Sequence, residues 1–338
     1  FPTRRSSDLS GFSYMRGFEF RHLPGQVVLP CAGAVQTLAQ DFAMQSQKES
    51  RLFLQKLLQN PPTLPFEPKL LPLLFAVTQE GSNASVRSVV ALIEKSPRLA
   101  TRVLTVANSA AYGLEFKVST LQRAISIMGL REVRLLVLMV GMSSFIREAQ
   151  LPKSFDTAAF WKHLLFVATI ARTLADVLGG DNGVCGASAC AGERLVMVPD
   201  EAYIAGLLHD VGKIFFAAAR PDLWEKTAEM EQAENCGSSE AETAQLGMDH
   251  GLIGAAVMHQ WKLPLVLTEP INLHHSPELA TTYKMEARLL AAANALAHCS
   301  HDAPMLRSKA GEHLPEGCDL DAVSAAVLES MVRIQEAG

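Results

Sequence analysis

Residues 203–216 read YIAGLLHDVGKIFF, with a histidine and an aspartate side by side, His209 and Asp210, after the apolar pair Leu207-Leu208 and just before Gly212 and Lys213. Imidazole and carboxylate both bind divalent metals, so the pair is a candidate metal site and, through it, a candidate for phosphate-ester chemistry. On either side of it, apolar residues recur at three and four spacing almost everywhere after residue 33, with no sustained two-residue alternation. That periodicity predicts an all-α protein.

A chain of 338 residues, 49% hydrophobic and 19% charged, has the composition of a compact globular protein with a sizeable core. Its net charge of -5 argues against a global attraction to nucleic acid or to an anionic membrane. The six cysteines, at 31, 185, 190, 236, 299 and 318, lack the density and spacing of a disulfide scaffold, which predicts reduced thiols and a cytoplasmic protein. Cys185 and Cys190 lie in a Gly/Ala-rich stretch that reads as a flexible loop, without the partner spacing of a zinc site. No apolar run reaches the roughly 18 residues of a membrane span, and no secretory leader is expected. The opening FPTRRSSDL translates one frame of a common sequencing-adapter DNA, so residues 1–10 are set aside as non-native.

Towards the N-terminus, residues 34–59 predict a helix that stops before Pro61-Pro62, because proline cannot continue the hydrogen-bond ladder. Ser82 and Asn83 stand as caps ahead of a short amphipathic helix that ends at Ser96-Pro97. Gly113 suits a left-handed cap, and Gly129 a hinge between two further helices. Small residues around Asn108 read as close packing or as a polar side chain sealing a turn, while Arg123, Arg131 and Arg134, interleaved with Glu132, read as a solvated face rather than a nucleotide clamp.

Towards the C-terminus, residues 157–180 predict a long helix whose His163, Val167, Ile170 and Leu174 share one inward stripe. Further helices are expected around His209, from about Glu240 to Trp261, up to His274-His275, over residues 285–299 and, last, over 319–337. Gly254, on the same face as His250, hints at close helix packing.

Seven linked motifs carry a resemblance: LPFEPKLLPLLFAV (64–77), VVALIEKSPRLATRVLTVANSAAYG (89–113), STLQRAISIMGLREVRLLVL (119–138), FWKHLLFVATIARTLA (160–175), the opening stretch, HGLIGAAVMHQWKLP (250–264) and LHHSP (273–277). In number and order they resemble the HDOD family, bacterial signalling domains related to the metal-dependent HD phosphohydrolases. The resemblance implies a two-lobed helical bundle. Its domain would span residues 61–300, with a first lobe over 61–150 and an HD-like lobe over 151–300, preceded by a helical extension over 11–60 and followed by a C-terminal helix over 301–338.

Mapped motif by motif, the resemblance implies metal ligands at His163, His209, Asp210, His250, His274 and His275 for iron, manganese or zinc. It also exposes a departure: Asn294 stands where HD hydrolases place a closing aspartate, which leaves Asp210 as the clear charged ligand. Asp249 is expected to point away from any ion that His250 reaches, because adjacent helix positions diverge by about 100°. A metal-free alternative stays open, with His163 bonded straight to Asp210. Lys213 reads as a solvated helix end rather than a phosphate contact, and His259, His298 and His301 as packing or surface histidines.

The leading expectation is a non-catalytic regulatory module that binds a signalling protein, in a cyclic-di-GMP pathway or with a nucleotide messenger, and that needs neither nucleic acid nor membrane. The alternative is a divalent-metal phosphohydrolase acting on a nucleotide or cyclic dinucleotide.

Overall fold

The computed structural model of the protein describes residues 50–59, 66–67, 69–78, 85–179, 195–299 and 302–337, all within one compact unit, Ser46–Gly338. The adapter-like start, most of the first expected helix, Ser82, Asn83, the loop with Cys185 and Cys190, and His301 lie outside these residues. Among the described residues there is no strand.

Residues 50–59 form α1. The first group of helices is α2 (Leu70–Thr78), α3 (Val86–Glu94), α4 (Pro97–Ala107), α5 (Leu121–Met128) and α6 (Leu130–Glu148). Local chemistry sets their ends. The hydroxyls of Ser85, Ser96 and Thr120 accept from the third backbone N–H of α3, α4 and α5, and Pro97 supplies a helix-ready φ at the start of α4. Gly129, at φ 82°, breaks α5 from α6 where a side chain would be strained. Asn108 seals the end of α4: its amide nitrogen donates to Leu104 O and Val118 O at 2.8 Å, and its oxygen accepts from Val118 N at 2.7 Å.

The second group contains α7 (Thr157–Gly179), α8 (Pro199–Leu208), α9 (Val211–Ala219), α10 (Pro221–Glu234), α11 (Ser238–Leu246), α12 (His250–Gln260), α13 (Leu265–Leu273), α14 (Lys284–Ala297), α15 (Ala303–His313) and α16 (Leu320–Ala337). Here α8, α14 and α16 surround α7, and α9 and α13 flank α12. Val167, Ile170 and Leu174 are fully buried on α7, as its stripe predicts.

Four expectations are corrected. His209 and Asp210 sit at the break between α8 and α9 rather than inside a helix. The span from Glu240 to Trp261 is two helices, separated at Gly247, whose φ of 73° reverses the chain. The C-terminal segment is two helices, and both pack against the HD-like group. Of the three arginines, Arg123 and Arg131 are exposed, as expected, Arg131 pairing with Asp200 of α8 at 3.2 Å, but Arg134 is not part of a solvated face: it is 3% exposed and stacks on Phe75 at 4.7 Å. The Arg131–Asp200 pair and Phe145 against Phe215 at 4.8 Å link the two groups, which share one core.

Pro199–Ala219 is long and apolar enough to cross a membrane by composition, although no such run is expected from the sequence. Most of it is buried inside the fold, as the α8–α9 core of the second group.

Candidate metal centre

Glycine brings the site helices together. A Cβ on Gly206 of α8 would stand 2.6 Å from the Ala168 Cα of α7, and one on Gly212 of α9 would run into the carbonyl of His250 on α12. Only a bare backbone allows α8 and α9 to lie this close to the helices that carry His163 and His250. Gly254 packs back on Gly212, as its position on the His250 face suggests.

The five histidines implied as ligands converge on the carboxylate of the sixth, Asp210. The ligand atoms of Asp210, His250, His274 and His275 lie within 4.8 Å of one another, and so do those of His163, His209 and Asp210. Asp210 Oδ1 is 2.9 Å from His250 Nε2, 3.2 Å from His209 Nε2 and 3.8 Å from His274 Nε2. Asp210 Oδ2 lies 3.6 Å from His163 Nε2 and 2.7 Å from Lys213 Nζ. His209, Asp210, His250 and His274 are buried, whereas His275 is exposed and His163 half-buried.

Hydrogen bonds fix which ring nitrogens carry lone pairs. His209 Nδ1–H donates to Gly206 O at 2.8 Å and His274 Nδ1–H to Ile271 O at 2.7 Å, so in each neutral ring the free lone pair sits on Nε2. Both lone pairs face Asp210 Oδ1, and His274 Nε2 has no hydrogen-bond partner among the described residues. Buried imidazole lone pairs turned towards a carboxylate oxygen are costly unless a cation lies among them; without metal that cation is His250, whose protonated Nε2 is 2.9 Å from Oδ1, and a divalent ion can take its place. His250 is held differently. The Glu242 carboxylate accepts from His250 Nδ1–H and from its backbone N–H, both at 2.7 Å, the buttress by which a carboxylate orients a metal-binding imidazole. The donor set therefore fits a divalent ion that accepts nitrogen and oxygen, such as iron, manganese or zinc.

Electrostatics favour neutral imidazoles at His163, His209 and His274. Burial pushes the His163 imidazole down to about 4 and that of His209 to about 3, and holds His274 well below the usual histidine range. At Asp210 burial opposes ionisation, but His209, Lys213 and His250 outweigh it and keep the carboxyl well below its ordinary value. Burial also disfavours charge on His250, yet Glu242 and Asp210 overcome it and carry that imidazole up to about 10 when no metal is bound.

Other residues reach the site in ways the sequence does not announce. Glu242, fully buried, lies eight residues before His250 on α11, and an acidic residue on an amphipathic helix carries no distinguishing mark until the Gly247 turn folds it back. Lys213 is not a solvated helix end but the partner of Asp210. His298 is not a bystander, since its ring stacks on His163 at 4.7 Å, one turn beyond Asn294 on the same helix face. Asn294 itself interacts with His163, and its Oδ1 is buried without a hydrogen-bond partner among the described residues. Asp249 turns away as expected, capping α12 at Leu252 N and accepting from the Ser239 hydroxyl.

Comparison with known proteins agrees with the all-helical fold. The chain is similar to a crystallised candidate phosphohydrolase from Shewanella amazonensis SB2B, with 25% identity and a TM-score of 0.60 over 82% of this chain and 93% of that one. An HDOD domain protein of unknown function from Geobacter sulfurreducens shares the fold at 21% identity and a TM-score of 0.60, covering 86% of this chain and 97% of that one. An uncharacterised protein of Treponema pallidum (strain Nichols) is 27% identical over 227 residues, which span 67% of this chain and 40% of that protein's length. The HDOD domain model matches residues 64–277, from the segment before α2 to just beyond the paired histidines, and the chain belongs to the HDOD domain family.

Proposed function

We propose that this chain is a regulatory signalling module whose His-Asp cluster holds one divalent cation without turning over a substrate, and which acts by contact with a protein partner. The observation that carries this reading is the Lys213 ammonium 2.7 Å from Asp210 Oδ2. It occupies one oxygen of the carboxylate on which the histidines converge, leaving Oδ1 for the ion beside His209, His250 and His274. When bound, a divalent metal in an HD-type centre activates water and braces a phosphate, which requires enough carboxylate charge to balance it. Here Lys213 cancels part of that charge, and Asn294 offers an amide beside His163. The ion's role in this reading is to tie α8, α9, α12 and α13 together. A cytoplasmic setting and a signalling partner, in a cyclic-di-GMP pathway or a related one, belong to the same proposal.

A second reading, a phosphohydrolase acting on a nucleotide or cyclic dinucleotide, draws on the exposed edge of the cluster. His275 is exposed beside His250, and His298 beside His163, so a phosphate has a way in. The similarity to the candidate phosphohydrolase of Shewanella amazonensis points the same way.

Metal content of protein purified without chelator or affinity-tag metal, measured by inductively coupled plasma mass spectrometry beside Asp210→Ala, tests the first part. Near-stoichiometric iron, manganese or zinc that vanishes in the variant is expected. The loaded protein is then assayed on bis-p-nitrophenyl phosphate and cyclic-di-GMP. Turnover that depends on Asp210 would replace the regulatory reading with the hydrolase.

A further inference from the structure

Away from the metal centre, α4 and α6 bound an open groove of about 430 Å³ on the outer face of the first helix group. The α4 wall is a polar stripe, Arg98, Thr101, Arg102 and Thr105, at the spacing that places every member on one helix face. All four are exposed, because the core face of α4 is Leu99, Val103 and Ala107. The α6 wall differs: Leu136, Met139 and Val140 make a half-buried apolar floor that ends in Ser143 and Arg147. Among the described residues, Arg98, Arg102 and Arg147 have no ion pair, in a chain of net charge -5. Three unneutralised guanidiniums around an apolar strip are a local reversal of the protein's charge.

We propose that this groove docks an acidic amphipathic helix of a partner protein. Leu136, Met139, Val140, Ser143 and Arg147 follow helical spacing along α6 over about 16 Å, the length of roughly three helical turns. A helix laid along this strip sets apolar residues at i, i+3, i+4 and i+7 onto the floor, and carboxylates on its flank against Arg98, Arg102 and Arg147. Those carboxylates meet guanidiniums whose geometry suits them, and the Thr101, Thr105 and Ser143 hydroxyls line the same walls. A phosphate-bearing small molecule fits less well, since the groove is open and its floor is an apolar strip rather than an enclosed pocket. The proposal rests on the reading of this chain as a partner-binding module, and it adds where that partner binds and with what chemistry.

The test is selection from a display library of random 18-residue peptides on the full chain, after which each enriched peptide is measured on the triple variant Arg98→Glu, Arg102→Glu, Arg147→Glu. All three positions are exposed, so the variant is expected to fold, and its circular dichroism melt checks this. Enrichment of peptides with Asp or Glu beside a Leu, Ile, Met or Phe stripe of helical spacing is expected. In fluorescence anisotropy they should bind the variant at least tenfold more weakly and lose affinity as salt rises. Enriched peptides that bind the variant equally well would keep the partner-binding reading and remove this groove from it. No enrichment at all would count against both. Tighter binding of cyclic-di-GMP than of any peptide, abolished by the same substitutions, would overturn the proposal in favour of a nucleotide site.

Discussion

The Lys213 ammonium lies 2.7 Å from one oxygen of Asp210, while the other oxygen faces His250 and His209 at 2.9 and 3.2 Å. One carboxylate is thus shared between a fixed internal cation and a cluster of imidazoles. Lys213→Met keeps the aliphatic bulk and removes the competing charge, so it should tighten metal binding about tenfold, equivalent to ~1.4 kcal/mol. Competition against a chromophoric chelator reads this directly, and an unchanged or weaker affinity would show that Lys213 does not compete with the ion.

Asn294→Asp should restore a carboxylate beside His163. In the metal-free protein, where burial pushes His163 down to about 4, the new charge should raise that value, as followed by imidazole nitrogen chemical shifts. Metal retention during dialysis should rise with it. If neither quantity moves, the Asn294 side chain is not placed to serve the cluster.

Glu242 acts one step behind the ligands. Glu242→Gln keeps an oxygen for the His250 backbone N–H but removes the charge that orients and enriches the imidazole. Loss of such a buttress typically weakens metal binding 10- to 100-fold, and isothermal titration with zinc or manganese measures it. A Gln variant with wild-type affinity would demote Glu242 to packing.

The pH dependence of the metal-free protein follows from shifts of opposite sign. His209 and His163 are depressed to about 3 and 4, so they contribute stability above the unfolded value of 6.5 that is lost as pH falls, at up to about 1.4 kcal/mol per unit for each ring. His250 is raised to about 10 by Glu242 and Asp210 against burial, so its contribution is complete below 6.5 and lost as pH rises towards 10. The melting temperature should therefore peak near the ordinary histidine value and fall on both sides. Differential scanning calorimetry from pH 4 to 10 checks the shape, and a profile flat between pH 5 and 9 would contradict it.

Gly212→Ala should be among the most damaging single substitutions in the chain. Its methyl would meet the His250 carbonyl and lie 2.8 Å from Gly254 N, all backbone that cannot rotate away. Forcing α9 from α12 should cost more than about 3 kcal/mol and separate Asp210 from His250. A chemical denaturation midpoint close to wild type would show that the two helices can part without loss.

Periodicity was enough for an all-helical chain and motif order for the resemblance to the HDOD family, and that resemblance implied the six candidate ligands, five histidines and Asp210, that converge in the fold. Caps and breaks were partly legible: Ser96-Pro97, Gly113 and Gly129 act as local chemistry dictates, because turns and caps depend on a few adjacent residues. The breaks at His209-Asp210 and Gly247 were not, since the apolar pattern continues across both. What tertiary structure alone decided is the electrostatics of the cluster. Lys213 is an ordinary helix residue until α9 buries it against Asp210, and Glu242 becomes the buttress of His250 only because the chain turns back at Gly247. The sequence specifies which groups a protein owns. Burial and proximity, which arise when distant segments pack, determine which of them share a proton, a charge or an ion.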